Sequence, residues 1–401
     1  MSRLAIDGGS PVRTLPFPRW PVFDHDDTEV TRAVLESGRV NYWTGEHGAR
    51  LETEFAAAVG TRHAVVLSNG TVALELALWA VGVRPGDEVV VPAATFIATA
   101  AAVVSCGARP IVVDVDAHSQ CLTAATVEPA LTERTVAIVV VHLAGHPADV
   151  HPLVDLAHRH GLRVVEDCAQ AHGAWYRGQP VGGLGDIAAW SFCQDKILST
   201  AGEGGAITTS DHELWLRCWE RKDHGKSWAG VHGPAPEPGF RWLHRTFGTN
   251  ARMTEVQAAV GRNQLRKLDP WVRLRNANAG VLLAALRDHP AIRVCEPPAD
   301  IRHAYYKFYA HLRPERLADG WDRDRVVAAV GAEGVPCLHG GCTEIYREDA
   351  FRGIRGTPLC LPIAAELGRT SIMLPVHPTI TAADMSDAAN ALLKVLDEAT
   401  T

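Results

Sequence analysis

From residue 63 onward, short apolar runs alternate with segments whose apolar positions recur at helical spacing. The runs predict strands at residues 63–68, 88–91, 110–115, 136–142 and 163–166. The segments between them predict helices running to residue 81, from about 95, over 123–131 and over 150–160. Strands apolar on both faces, each followed by a helix, imply a mainly parallel α/β sheet. Ahead of this region, residues 1–24 are rich in Pro and Gly and read as an irregular arm; 26–37 and 50–59 have helical spacing, with a polar, aromatic loop at 41–48. A second pair of strands, 187–192 and 206–209, brackets a polar turn and a glycine-rich reversal. The pattern changes after residue 222. Residues 223–250 are dense in Gly, Pro, His and Trp, which suits a long functional loop. Residues 254–286 predict one long helix, interrupted or kinked at Pro270, and short strands at 305–312, 335–338 and 372–374 follow. The expected division is a large α/β domain over 1–255, including the arm, and a smaller α+β domain over 256–401.

Composition narrows the function. The 401 residues are 47% hydrophobic, enough for a sizeable core in two domains. The net charge of −7, with both signs interspersed, argues against nucleic-acid or membrane-surface binding. Nine cysteines, an odd number without a CxxC pair, suit reduced thiols in a cytoplasmic enzyme better than a disulfide framework. No apolar signal core and no run of membrane-spanning length is found, so the expectation is a soluble cytoplasmic protein.

The candidate chemistry collects at strand ends, where ligands bind in an open parallel sheet. Lys196 lies in the turn between the strands 187–192 and 206–209, beside Gly202, Gly204 and Gly205, where an amine can form an imine with a carbonyl or aldehyde cofactor. Asn69-Gly70-Thr71 opens a helix directly after a strand, so its amides and hydroxyl suit a phosphate, and Ser191 can reach the same group. Asp167 ends the strand of VVEDCAQAHGA and can pair with a protonated ring nitrogen; Gln170 and His172 follow it at the same edge. Phe96 can lie over an aromatic ring. Taken singly, each fits a plainer role: a surface lysine, a helix cap, a core phenylalanine. Their occurrence together at the functional end of one sheet favours the chemical reading.

The segments NGT…ALELAL, PAATFIAT, VVHLAGHPADV, VVEDCAQAHGA, SFCQDKILSTAGEGG, GTNARMTEVQAAVGRNQL and LPVHPTIT are similar to those of the DegT/DnrJ/StrS aminotransferases. The resemblance runs from about residue 20 to the C-terminus and is most specific around Lys196. It implies the aspartate-aminotransferase-like fold (type I) and pyridoxal 5'-phosphate as cofactor. It implies Lys196 as the lysine that binds the cofactor and later moves the proton, and Asp167 as partner of the pyridine nitrogen. By the same resemblance Gln170 neighbours the phenolic oxygen, Phe96 stacks on the ring, and Gly70, Thr71 and Ser191 hold the phosphate. Asn250 would reach the phosphate in a neighbouring subunit, which implies a homodimer with shared sites and 223–250 as the exchanged arm.

The expected reaction moves an amino group from glutamate or glutamine to a nucleotide-linked keto-sugar or a cyclic ketone, in amino-sugar or natural-product biosynthesis. A cyclitol (scyllo-inosose-type) aminotransferase or a 3-amino-5-hydroxybenzoate synthase-like enzyme is the alternative, because His142-Leu143-Ala144-Gly145 lacks the tyrosine of many nucleotide-sugar members. A dehydratase branch carries histidine in place of the lysine, and a non-catalytic regulatory protein would lack the lysine or the aspartate; Lys196 and Asp167 argue against both. Candidate substrate contacts are Glu46, His172, His224, Lys226 and the cluster 339–344 with His339. Cys337, His339 and Cys342 match no zinc spacing, so no metal is expected.

Overall fold

The computed structural model describes residues 3–234 and 242–400. Its strands, in chain order, are β1 (His63–Leu67), β2 (Glu88–Pro92), β3 (Arg109–Val113), β4 (Thr135–Val141), β5 (Arg163–Asp167), β6 (Trp175–Tyr176) and β7 (Gln179–Pro180). After these come β8 (Ile187–Ser191), β9 (Gly205–Thr209), β10 (Ile292–Val294), β11 (Ile301–Arg302), β12 (Phe308–Leu312), β13 (Leu338–His339) and β14 (Ser371–Leu374). The larger sheet has the order β1-β9-β8-β5-β4-β2-β3. Strands β3, β2, β4, β5 and β8 are parallel, while β9 runs antiparallel to both β8 and β1. The expected α/β architecture is therefore present, with one reversed strand at the segment that carries Lys196.

Burial explains the unbroken apolar runs. Val89, Val90 and Val91 of β2 and Ile138, Val139 and Val140 of β4 are fully buried, alternate residues feeding clusters on opposite faces. Helices Gly70–Val81, Ala98–Ser105 and His212–Lys222 cover one face; helices His47–Val59 and Val150–Arg159 contribute to the clusters on the other.

A second sheet, antiparallel in the order β10-β12-β14-β13, packs with helix Ala382–Ala399 around its own cluster. Helix Glu255–Leu286 serves both bodies: Ala258 and Val272 join a cluster of the large sheet, and Ala279, Leu282 and Leu286 join the second. It runs its 32 residues, about 48 Å at the α-helical rise, with Pro270 inside, so the proline does not interrupt it.

Elsewhere the elements are shorter than expected. Residues 123–131 form helix Ala124–Val127 and then a 3-10 turn, Glu128–Ala130, at Pro129. The strand expected at 335–338 shrinks to β13, since Pro336 has no N–H to give a ladder. The 223–250 segment holds a short helix, Trp228–His232, and residues 235–241 of it lie outside the described residues.

The N-terminal arm is tied down. Leu4 is buried in the second body's cluster, and the Ala5 and Val12 amides donate to the Glu333 carboxylate at 2.8 and 3.0 Å. Lys394 Nζ lies 2.8 Å from the same carboxylate, and Arg13 pairs with Asp384 and Asp387. Among the described residues no helix is long and apolar enough to cross a membrane.

Candidate active site

The reversal between β8 and β9 brings Lys196 against the start of helix Gly70–Val81. It needs glycine to do so: a Cβ on Gly205 would lie 2.5 Å from the Asn69 backbone, and one on Gly70 would lie 2.6 Å from Ser191 Cβ. Asn69 caps the helix, accepting from the Val72 amide at 2.9 Å. Gly70, Thr71 and Ser191 are thus gathered at a helix N-terminus, where unpaired amides and the helix dipole favour an anion.

Lys196 lines the same cavity as that helix start. Its Nζ lies 3.8 Å from Asp195 Oδ1 and 4.9 Å from the centre of the Tyr306 ring. The Trp20 indole, at the end of the N-terminal arm, donates to the Lys196 carbonyl at 2.8 Å and ties the arm to the loop. Tyr306 hydrogen-bonds Asp195 through its hydroxyl, and burial together with that carboxylate pushes the phenol pKa upward. Burial acts against ionisation of Asp195, yet Lys196 and the Tyr306 hydroxyl hold its pKa below the ordinary value.

Asp167 ends β5 and is 6% exposed. Thr99 donates to its Oδ2 at 2.9 Å and the Ala169 amide to its Oδ1 at 3.2 Å. Burial nonetheless raises its pKa, against the opposing pull of those hydrogen bonds and of Lys196. The carboxylate therefore lacks sufficient positive charge nearby, and a protonated ring nitrogen would supply it. Gln170 accepts from the Ala144 amide through Oε1 at 2.6 Å, which leaves its NH2 group as the donor. Phe96 stands 67% exposed at the cavity's edge, a free aromatic face.

One cavity of about 870 Å³ is lined by Gly70, Thr71, Phe96, Asp167, Gln170, Ser191 and Lys196 together. The other expected residues fall elsewhere. His172 is wholly buried against Trp190 and Phe192, and burial pushes its pKa down to about 3; it does not reach the cavity as a substrate contact would. His224 and Asn250 lie outside, Asn250 bridged to Asp223. Lys226 is also outside, 3.5 Å from Asp223 and 4.8 Å from the Trp43 ring centre. His339 sits 3.3 Å from Asp324 in a neighbouring cleft, which meets the cavity at Gly341 and Cys342. Glu46 precedes helix His47–Val59 and pairs with Arg50.

Among the described residues the convergence of metal-type side chains is at His142, Glu166 and Cys168. There His142 Nε2 meets Glu166 at 3.0 Å and its Nδ1 accepts from the Ala148 amide, while Glu166 also takes the Gly182, Leu184 and Gly185 amides. These bonds brace the ends of β4 and β5 and engage the ligand atoms of His142 and Glu166.

Sequence reasoning missed Thr99, Asp195, Tyr306 and Lys307, all of which line the cavity. Asp195 stood beside Lys196 in plain view. Tyr306 and Lys307 precede β12 of the second sheet, and nothing in the local pattern links them to Lys196.

A model of the DegT/DnrJ/EryC1/StrS aminotransferase family matches residues 21–393. The dTDP-3-amino-3,4,6-trideoxy-alpha-D-glucose transaminase of Streptomyces venezuelae is 38% identical over 352 residues, covering 88% of this chain and 87% of that protein. The L-glutamine:2-deoxy-scyllo-inosose aminotransferase of Micromonospora echinospora is 35% identical over 406 residues, covering 96% and 95%. Among solved structures, an aminotransferase from Psychrobacter cryohalolentis superposes with a TM-score of 0.94 at 44% identity, over 96% of this chain and all of that one (100%). A 3-amino-5-hydroxybenzoic acid synthase gives 0.85 at 31% identity, over 97% and 100%.

Proposed function

The chain belongs to the DegT/DnrJ/EryC1/StrS aminotransferase family and is a pyridoxal-phosphate-dependent transaminase, and from that premise we propose that it aminates a nucleotide-linked keto-sugar or a cyclic ketone at the expense of glutamine or glutamate. The observation that carries the reading is the convergence of Lys196, Asp167 and the anion-favouring helix start in one cavity. Pyridoxal phosphate supplies an aldehyde that condenses with amines and a pyridinium ring that accepts the electrons of a breaking C–H bond. Asp167 keeps the ring nitrogen protonated, since a buried carboxylate held by Thr99 favours a cation beside it. Lys196 Nζ would hold the cofactor and would carry the proton to and from the substrate carbon. Gly70, Thr71 and Ser191 would hold the phosphate, Phe96 would cover the ring, and the Gln170 amide would donate to the phenolic oxygen; all five line the cavity.

Asn250 serves the neighbouring subunit in a cytoplasmic homodimer; its exposed position outside this chain's cavity fits such a reach. His224 and Lys226 belong to the same shared edge. The proposed division near residue 255 falls at the start of the helix that both bodies share, and the arm's Leu4 packs with the second body. The second reading, a cyclic ketone of the scyllo-inosose type or an aminohydroxybenzoate-type acceptor, is supported by similarity to proteins of both kinds.

An absorbance spectrum of the purified protein tests the reading. A yellow band that bleaches with glutamine or glutamate and returns with one member of a ketone panel is the expected result. A protein that stays colourless after incubation with pyridoxal phosphate would sink it. Lys196→Ala should lose the band and reduce turnover by at least about 10²–10⁴, the usual contribution of a proton-transfer group; near wild-type turnover would remove Lys196 from its role.

A further inference from the structure

Lys307 directly precedes β12 and lines the cavity, and it is the only cation besides Lys196 among the described residues that do so. The anions there are engaged: Asp167 with Thr99 and Ala169, Asp195 with Tyr306 and Lys196, Glu203 with the Cys193 thiol. Among the described residues Lys307 has no ion-pair partner. Its ammonium lies 5.2 Å from the centre of the Tyr306 ring, the ring that Lys196 Nζ also approaches. Burial holds its pKa below the ordinary lysine value; Asp195 opposes that shift, and Arg275 and Lys196 add to it. The site therefore gains from an anion arriving with the substrate.

Position says which anion. The phosphate cradle of Gly70, Thr71 and Ser191 belongs to the large sheet. Tyr306 is held beside the residues that follow β4 and β5, whereas the cradle lies at the ends of β1 and β8: its amide donates to the Ala144 carbonyl at 2.8 Å, and the Ala144 amide donates to Gln170 at 2.6 Å. An amino-acid donor carries a carboxylate one carbon from the amine that must reach the Lys196 position, whereas a ketone carries no charge at its reacting carbon.

We propose that Lys307 binds the α-carboxylate of the amino donor. The proposal rests on the aminotransferase reading and makes Lys307 a binding residue of the donor half-reaction.

The test titrates wild type, Lys307→Gln and Lys307→Arg with L-glutamine, or with L-glutamate if that bleaches the wild type faster. The readout is the concentration for half-maximal bleaching and the limiting rate. Lys307→Gln should raise the half-maximal concentration roughly 10- to 100-fold, as loss of a charged hydrogen bond does, with a smaller change in limiting rate. Lys307→Arg should recover part of it. Wild type should use 4-aminobutanamide, which is glutamine without its α-carboxylate, poorly, and Lys307→Gln should impose no further loss on that amine. An unchanged half-maximal concentration in Lys307→Gln overturns the proposal. So does a wild type indifferent to the missing carboxylate, a variant whose loss is confined to retention of pyridoxal phosphate, or one weakened only toward dTDP or UDP by calorimetry. A wild type that no donor bleaches would instead be a failure of the aminotransferase reading itself.

Discussion

Asp167 shows how a single side chain is prepared for its task. Thr95 and Thr99 share a hydrogen bond of 2.8 Å, and Thr99 passes its donor to the carboxylate, so an otherwise unfavourable buried charge is held in one orientation. Asp167→Asn keeps the shape and removes the charge. Turnover should fall at least about 100-fold, the lower end of what a group stabilising developing charge contributes, and the cofactor should dissociate more readily on gel filtration. Unchanged rate and retention would remove the residue from the chemistry. Lys196, Asp167, Phe96 and the 69–71 turn were legible because each closes or follows a strand that the apolar pattern reveals. His172 follows Asp167 by five positions, yet its ring turns under Trp190 and Phe192. Strand-end position in the sequence does not fix which way a turn residue points. Lys307 was illegible for the opposite reason: a strand of another sheet delivers it.

At the scale of elements, the arm depends on Glu333. The carboxylate is fully buried and takes two arm amides and Lys394. Burial raises its pKa, but the Ala5 and Val12 amides and Lys394 outweigh that and leave it below the ordinary glutamate value. A group depressed in the folded state stabilises above its unfolded pKa, about 4.3, and loses that contribution as pH falls through the folded value. The arm should therefore be held at neutral pH and released in acid. Glu333→Gln should cost roughly 3–5 kcal/mol near pH 7, the range for breaking a buried ion pair. In urea unfolding the gap to wild type should close as pH drops below about 4; a gap independent of pH would mean that the charge is not what holds the arm. The arm's attachment was hidden from the sequence, where residues 1–24 show turn formers and Glu333 sits in an unrelated helix-to-strand turn. The mainly parallel sheet was better foreshadowed, since apolar strands alternating with helices are the pattern of parallel pairing.

The whole molecule raises the question of which chain completes each cavity. If Asn250 serves a neighbour, Lys196→Ala and Asn250→Ala homodimers are each impaired, but a hybrid holds one site with both native residues. Mixing the two after reversible dissociation should restore about a quarter of wild-type activity, because half the dimers are hybrids with one intact site of two. No recovery in a mixture shown to exchange subunits would confine Asn250 to its own chain. The long helix was legible over 254–286, but its service to two cores, and the arm's place in the second of them, were not. Its apolar positions look continuous, and only the packing shows that Val272 and Ala279 face different cores. That second core also contains Leu4 together with Leu392 and Leu396. On the ribosome these partners are separated by nearly the whole time of synthesis. The large sheet can assemble while translation continues, but Leu4 and the latter half of the long helix must wait, apolar faces uncovered, until residue 396 has left the exit tunnel. A nascent chain of this enzyme thus keeps part of its second core uncovered until synthesis is nearly over, which is when a chaperone has most to offer it.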